Sequence, residues 1–141
     1  MIVNGKKITL KKVNLIEKLS EETPCFTADL YQDGVLLAHV SNRGQGGCND
    51  IHPAKGFKYN DIQHLTSLDA DCDIMGLAEE ASFIKKNQAK AFVVKKGGKL
   101  YTLKLNNSFA VYKKAKSYDT WISRELSKIV KFGYEVLNTN L

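Results

Sequence analysis

The stretch AFVVKKGGKLYTLKL, residues Ala91 to Leu105, decides the fold. Two β-rich runs flank Gly97-Gly98, and a glycine pair accepts the positive φ values that a two-residue hairpin turn demands. With those two as turn residues, Phe92 faces Leu103, Val94 faces Tyr101, and Leu105 extends the same side. Lys95, Thr102 and Lys104 stand on the other side with Val93 and Leu100. Five large apolar residues on one face require a covering layer, and lysines on the outer face discourage edge-to-edge pairing. Asn106-Asn107 is expected to turn the chain again into a third strand, Phe109 to Tyr112, completing a meander.

Working outward, the same turn chemistry recurs. Asn4-Gly5 joins Ile2-Val3 to a strand that continues over Ile8 to Val13, and Asp33-Gly34 joins Cys25–Tyr31 to Val35–Ser41. Apolar groups on both faces of this second hairpin (Phe26, Ala28 and Leu30 against Tyr31, Leu36 and Val40) predict cover on both sides. Helical spacing marks Ile74, Leu77, Ala78, Ala81 and Ile84, with Asp73 as the expected cap and a run to about Gln88. A second helix is expected after Ser117, with Ile122, Leu126, Ile129 and Val130 as its apolar stripe and Gly133 as its stop. Asn60–Leu68 reads as a short helix with Ile62 and Leu65 inward, and Tyr134–Leu137 as a short terminal strand. Hairpins with helices between or after them, and no βαβ alternation, give a single α+β domain over residues 1–141, an antiparallel sheet with two main helices packed on it.

A chain of 141 residues, 43% hydrophobic and 26% charged, suits one soluble core. No apolar run approaches the roughly 20 residues that span a bilayer. The lysines of MIVNGKKITLKKV lead into no apolar block of signal-peptide length, so the expected location is cytoplasmic, with no membrane partner. Cys25, Cys48 and Cys72 are an odd number at wide spacing without a CxxC pair, which excludes a disulfide framework and a zinc site as readings. No cofactor motif is present.

Charge is unevenly distributed. Residues 85–141 carry thirteen of the 21 Lys and Arg residues and three acidic ones, net +10, and residues 1–84 carry a net −4. Lys95, Lys96 and Lys99 crowd the glycine turn. Lys113, Lys114 and Lys116 lead into the second helix, and Arg124, Lys128 and Lys131 share one of its faces. Tyr118 and Trp121, in its first turn, are candidates to pack beneath the cluster or to stack on a base. A single arginine among thirteen cations suits sequence-blind attachment to phosphate better than reading of base edges. Residues Tyr59–Phe83 hold six acidic groups and no Lys or Arg. They suit solvation and capping, a basic protein surface, imitation of phosphates, or a head-to-tail homo-oligomer.

The segment Ser41-Asn42-Arg43-Gly44-Gln45-Gly46-Gly47-Cys48-Asn49-Asp50-Ile51-His52-Pro53 is the least ordinary stretch. Three glycines in four positions after a strand can expose consecutive N–H groups to an anion, with Arg43 and Asn42 adding contacts, or can form a wide turn. It matches neither GxxxxGK[ST] nor the dinucleotide fingerprint. Cys48 and His52 admit a nucleophile–base pair, which four-residue spacing on a loop does not enforce.

The run SEETPCFTADLYQDGVLLAHVSNRGQGGCNDIHP resembles a segment of small phage-type accessory proteins. In these a strand ending in a polar-Asp-Gly turn leads to a returning strand and an Asn-x-Gly-x-Gly-Gly loop, here Gln32-Asp33-Gly34 and Asn42 to Gly47. The resemblance covers about a quarter of the chain and implies a counter-defence context without assigning any site. The expected function is a non-enzymatic binding protein for a phosphate-bearing partner, nucleic acid or nucleotide, through Asn42, Arg43, Gly44, Gly46, Gly47 and the lysine cluster. The alternatives are an anti-CRISPR-like inhibitor that binds a host defence protein carrying nucleic acid, and a small enzyme using Cys48 and His52.

Overall fold

The computed structural model describes residues Met1 to Leu141 and contains two antiparallel sheets with helices, an α+β architecture. The chain divides into two compact units, Met1–Ser82 and Phe83–Leu141. In the three hairpin turns, Asn4-Gly5, Asp33-Gly34 and Gly97-Gly98, both residues have positive φ, the geometry that matches the right-handed twist of the flanking strands.

In the first unit, β1 (Ile2–Val3), β2 (Lys6–Leu15), β3 (Cys25–Gln32), β4 (Val35–Arg43) and β5 (Asp50–Pro53) follow one another across a five-stranded sheet. One face is buried: Ile8, Phe26, Ala28, Leu30 and Val40 pack with Ile62, Leu65, Ile74 and Ala78. The last four come from α1 (Tyr59–Ile62), the 3-10 turn Gln63–Leu65 and α2 (Leu68–Asn87), whose Ile74 and Ala78 are one turn apart. The opposite face is not covered as its apolar residues predict. Thr27 and His39 are exposed, and Asp29 and Ser41 half-buried. The mixed alternation comes instead from a bulge, because Leu30 pairs with Ala38 and Tyr31 with Leu36, leaving Leu37 as an extra residue.

Helix α2 also begins earlier than its apolar spacing suggests. Ser67, not Asp73, satisfies its start: the hydroxyl accepts from Ala70 N at 3.2 Å, and the carbonyl from Asp71 N at 2.9 Å. Asp73 lies inside the helix, on its exposed face.

In the second unit, β6 (Ala91–Lys96) lies between β7 (Lys99–Lys104) and β8 (Glu135–Val136). Phe92 opposes Leu103 and Val94 opposes Tyr101, the register expected from the glycine turn. Phe109–Tyr112 is a helical turn, α3, and not a third strand; four apolar residues are too few to carry a period. Phe109 N donates to Ala89 O at 2.8 Å, so the segment folds over the start of β6. Strand β8 takes the vacant sheet position, pairing Val136 with Val94. Beyond it, Asn138 continues the ladder with its side chain, accepting from Val93 N at 2.7 Å and donating to Ala91 O at 3.0 Å.

Helix α4 (Tyr118–Lys131) covers this sheet with Ile122 and Ile129. Val130, assigned to its apolar stripe by spacing, is 62% exposed, and Trp121 packs inward in its place. Gly133 N bonds Val130 O at 2.9 Å and Tyr134 N bonds Ile129 O at 3.3 Å, which is the Schellman arrangement that closes a helix on a left-handed glycine.

Phe109 is 2% exposed, and its ring meets Phe92 edge-on at 5.2 Å and Trp121 at 6.5 Å. Phe109→Ala is expected to cost about 3–5 kcal/mol. Urea unfolding followed by Trp121 fluorescence measures this in the second unit alone, because the chain has one tryptophan.

Candidate nucleic-acid interface

The step in charge coincides with the step in structure. Residues 83–141 form one compact unit and hold thirteen Lys/Arg against three Asp/Glu, net +10; residues 1–82 hold eight against twelve, net −4. The thirteen basic residues of this unit lie in the last turn of α2 (Lys85, Lys86), just before β6 (Lys90), on the β6–β7 hairpin, between α3 and α4, and on α4.

Topology gathers eight of them, Lys96, Lys99, Lys113, Lys114, Lys116, Arg124, Lys128 and Lys131, at the two ends of α4 and along its side. At the hairpin-turn end, Lys96 pairs with Lys99 across Gly97-Gly98. Lys96 Nζ donates to Phe132 O at 2.8 Å, at the C-terminus of α4, and stands 5.0 Å from the centre of the Tyr134 ring. This bond draws the hairpin turn to the last turn of the helix, which carries Lys128 and Lys131. A cation on a terminal carbonyl also offsets the negative end of the helix dipole. Lys104 lies opposite Ala91 at the other end of the sheet. Lys113, Lys114 and Lys116 are exposed between α3 and α4, leading into the helix at its N-terminal end.

Arg124, Lys128 and Lys131 form an exposed stripe along the C-terminal half of the helix. Fourteen residues make α4 about 21 Å long. Neutralisation within the unit is slight. Glu125 lies 3.4 Å from Lys128 in an exposed pair worth little, and Glu135 stands opposite Lys95 across the sheet.

Tyr118 and Trp121 are not available for stacking on a base. Trp121 lies parallel to Tyr112 with ring centres 4.6 Å apart and also meets Phe92, Phe109 and Tyr118. The exposed rings of this unit are Phe132, at 70%, and Tyr101, at 44%. Sequence spacing gives neither away. Phe132 sits one residue past the helix, and Tyr101 belongs to the apolar face of an edge strand.

The glycine-rich segment, in the first unit, is knitted to its own surroundings. Asn42 is buried; its carbonyl oxygen accepts from Gly44 N at 2.9 Å and from Thr23 Oγ1 at 2.7 Å, and its amide donates to Asn49 at 3.1 Å. Gly46 N donates to Thr23 Oγ1 at 3.2 Å, and Gly44 O accepts from the amides of Glu21 and Glu22. Asn49 N in turn donates to the buried Asp71 carboxylate at 3.3 Å. The N–H groups of Gly44 and Gly46 are thus spent, and the Glu22 carboxylate occupies the space beside Gly46. Gly47 faces open space, and Arg43 is exposed at the end of β4.

Cys48 is exposed, and the Asp71 carboxylate beside it accepts from the thiol and repels a thiolate, pushing its pKa up. A nucleophilic cysteine requires the opposite environment. His52 belongs to a different feature, a groove of about 240 Å³ on the open face of the sheet. There His39 Nδ1 meets Asp29 Oδ1 at 2.8 Å, His52 is the cross-strand neighbour of His39, and Lys12 Nζ reaches Asp29 at 3.9 Å. The sequence conceals this row. Counting back from Asp33-Gly34 without the bulge pairs Asp29 with Ala38 and turns His39 away. No group of His, Cys, Asp and Glu here is disposed to hold a metal ion.

A Cβ on Gly44 would lie 2.2 Å from Leu19 O and 2.8 Å from Cys25 Cβ, at a φ of +83°. Gly44→Ala is expected to destabilise the first unit by at least about 2 kcal/mol, measurable as a lowered denaturation midpoint. With its ionisation disfavoured, Cys48 is expected to react with iodoacetamide at pH 7 more slowly than a free model thiol, as followed by mass spectrometry. Selective, rapid labelling of Cys48 would restore a catalytic role for it. The chain matches no family model, no curated protein and no solved structure.

Proposed function

We propose that this chain is a non-enzymatic binding protein whose second unit, residues 83–141, attaches to the phosphates of a nucleic acid. The observation that carries this reading is the confinement of a net +10 to one small folded unit. Dispersed lysines keep a protein soluble, whereas a net charge of this size held within one small unit concentrates polyanions and speeds their encounter. The stripe along α4 favours a polymer over a lone nucleotide. From Arg124 to Lys131 it runs about 10 Å, the rise of roughly three phosphates of one strand, and Lys113, Lys114 and Lys116 precede the helix.

Lysine dominance makes the attachment sequence-tolerant. The likeness of residues 20–53 to phage-type accessory proteins supplies a counter-defence setting in the host cytoplasm. A second reading, a protein-binding inhibitor of a nucleic-acid-loaded host effector, draws on the exposed Asp69, Asp73 and Glu79 of α2. No helix of the chain is long and apolar enough to cross a membrane.

Fluorescence polarisation with labelled oligonucleotides tests the proposal. About four phosphate contacts predict a loss of roughly 100-fold in affinity between 50 and 200 mM salt. Joint replacement of Lys113, Lys114 and Lys116 by Glu is expected to weaken binding by at least about ten-fold and flatten the salt slope, while Lys6→Glu with Lys7→Glu changes it little. Absence of binding at low salt, together with a protein partner held independently of salt, would favour the inhibitor instead.

A further inference from the structure

The two rings that the second unit leaves in water both lie in the patch at its hairpin-turn end. Lys96 links them. Its ammonium bonds the carbonyl of Phe132 and lies over Tyr134, and the Tyr134 ring meets Tyr101 edge-on with centres 6.0 Å apart. Lys99, Lys128 and Lys131 are exposed in the same region, at the hairpin turn and the last turn of α4.

Large exposed rings are costly in water unless something flat and apolar covers them, and among ligands drawn by lysines the apolar faces are those of nucleobases. In a duplex those faces are stacked away. Resting on the nucleic-acid reading above, we infer that this patch selects single-stranded over double-stranded nucleic acid, with unpaired bases stacking on Phe132 and Tyr101 while the surrounding lysines hold the backbone.

Both rings sit on ordered supports. The Phe132 backbone is fixed by its own N–H to Lys128 O at 3.2 Å and by Lys96 at its carbonyl. Tyr101 belongs to a strand and is flanked by Tyr134. Little ordering remains to be done on binding, so stacking contributes nearly in full. The cluster contains no arginine fork or amide aimed outward to read base edges, so the preference is for strandedness rather than sequence.

The test compares a labelled 20-nucleotide single strand with its duplex at one salt concentration, for the full chain and for Phe132→Ala, Phe132→Leu and Tyr101→Ala. The natural chain is expected to bind the single strand at least about ten-fold more tightly. Phe132→Ala and Phe132→Leu should each weaken single-strand binding by about ten-fold, leave duplex binding within two-fold, and keep the salt slope, because stacking releases no counterions. Phe132 is an exposed residue past the helix end, so unchanged thermal melting of its variants checks that the fold persists. Equal binding of both forms, or ring variants that bind the single strand as the natural chain does, would overturn the inference and leave the lysine-based reading standing. Failure to bind either form would remove both.

Discussion

Mutual repulsion among thirteen cations is the constraint that the second unit must overcome, and its aromatic cluster is what overcomes it. A three-stranded sheet covered by one main helix buries little apolar area, and a net +10 opposes compaction. Phe92, Phe109, Tyr112, Tyr118 and Trp121 interlock in parallel, tilted and edge-on contacts. Rings carry the largest burial per residue and gain about 0.5–1.5 kcal/mol more per well-placed pair. Tyr118 and Trp121 therefore face inward because the core needs them. The stacking role that the sequence suggests for them passes to rings the core does not use.

The same constraint explains how the lysines are arranged. Eight of the thirteen lie at the two ends of α4 and along its exposed stripe, an arrangement that keeps the ammonium groups apart while their fields add. The negative end of the helix dipole offsets part of the repulsion at the crowded end, where Lys96 bonds Phe132 O and Lys128 and Lys131 occupy the last turn. A structural role for Lys96 does not remove its charge from the surface. It fixes where that charge sits.

Local turn chemistry was the most legible part of the chain. Asn-Gly, Asp-Gly and Gly-Gly located three hairpins, and the register about Gly97-Gly98 followed from them residue by residue. Features that depend on one extra or one missing residue were hidden. The unpaired Leu37 shifts β4 by one place, which brings Asp29 opposite His39, and hydrophobic alternation alone cannot reveal an insertion. Phe109–Tyr112 lacks the length to tell a helical turn from a strand, and the cap at Ser67 is hidden because the apolar spacing of its helix starts several residues later.

The candidate site divides along the same line. Charge adds up without reference to geometry, so the basic half was visible in composition, whereas the fate of a loop depends on where each N–H points. The glycine segment was ambiguous between an anion cradle and a wide turn. Asn42, Thr23 and the Glu22 carboxylate favour the turn, since two of its amides are occupied and an acid stands beside them. Glycine is needed at residue 44 for close approach to Leu19 O, a requirement that produces the same sequence signature as close approach to a phosphate. A glycine pattern reports that something comes near the backbone, and only the neighbours say whether it is ligand or protein.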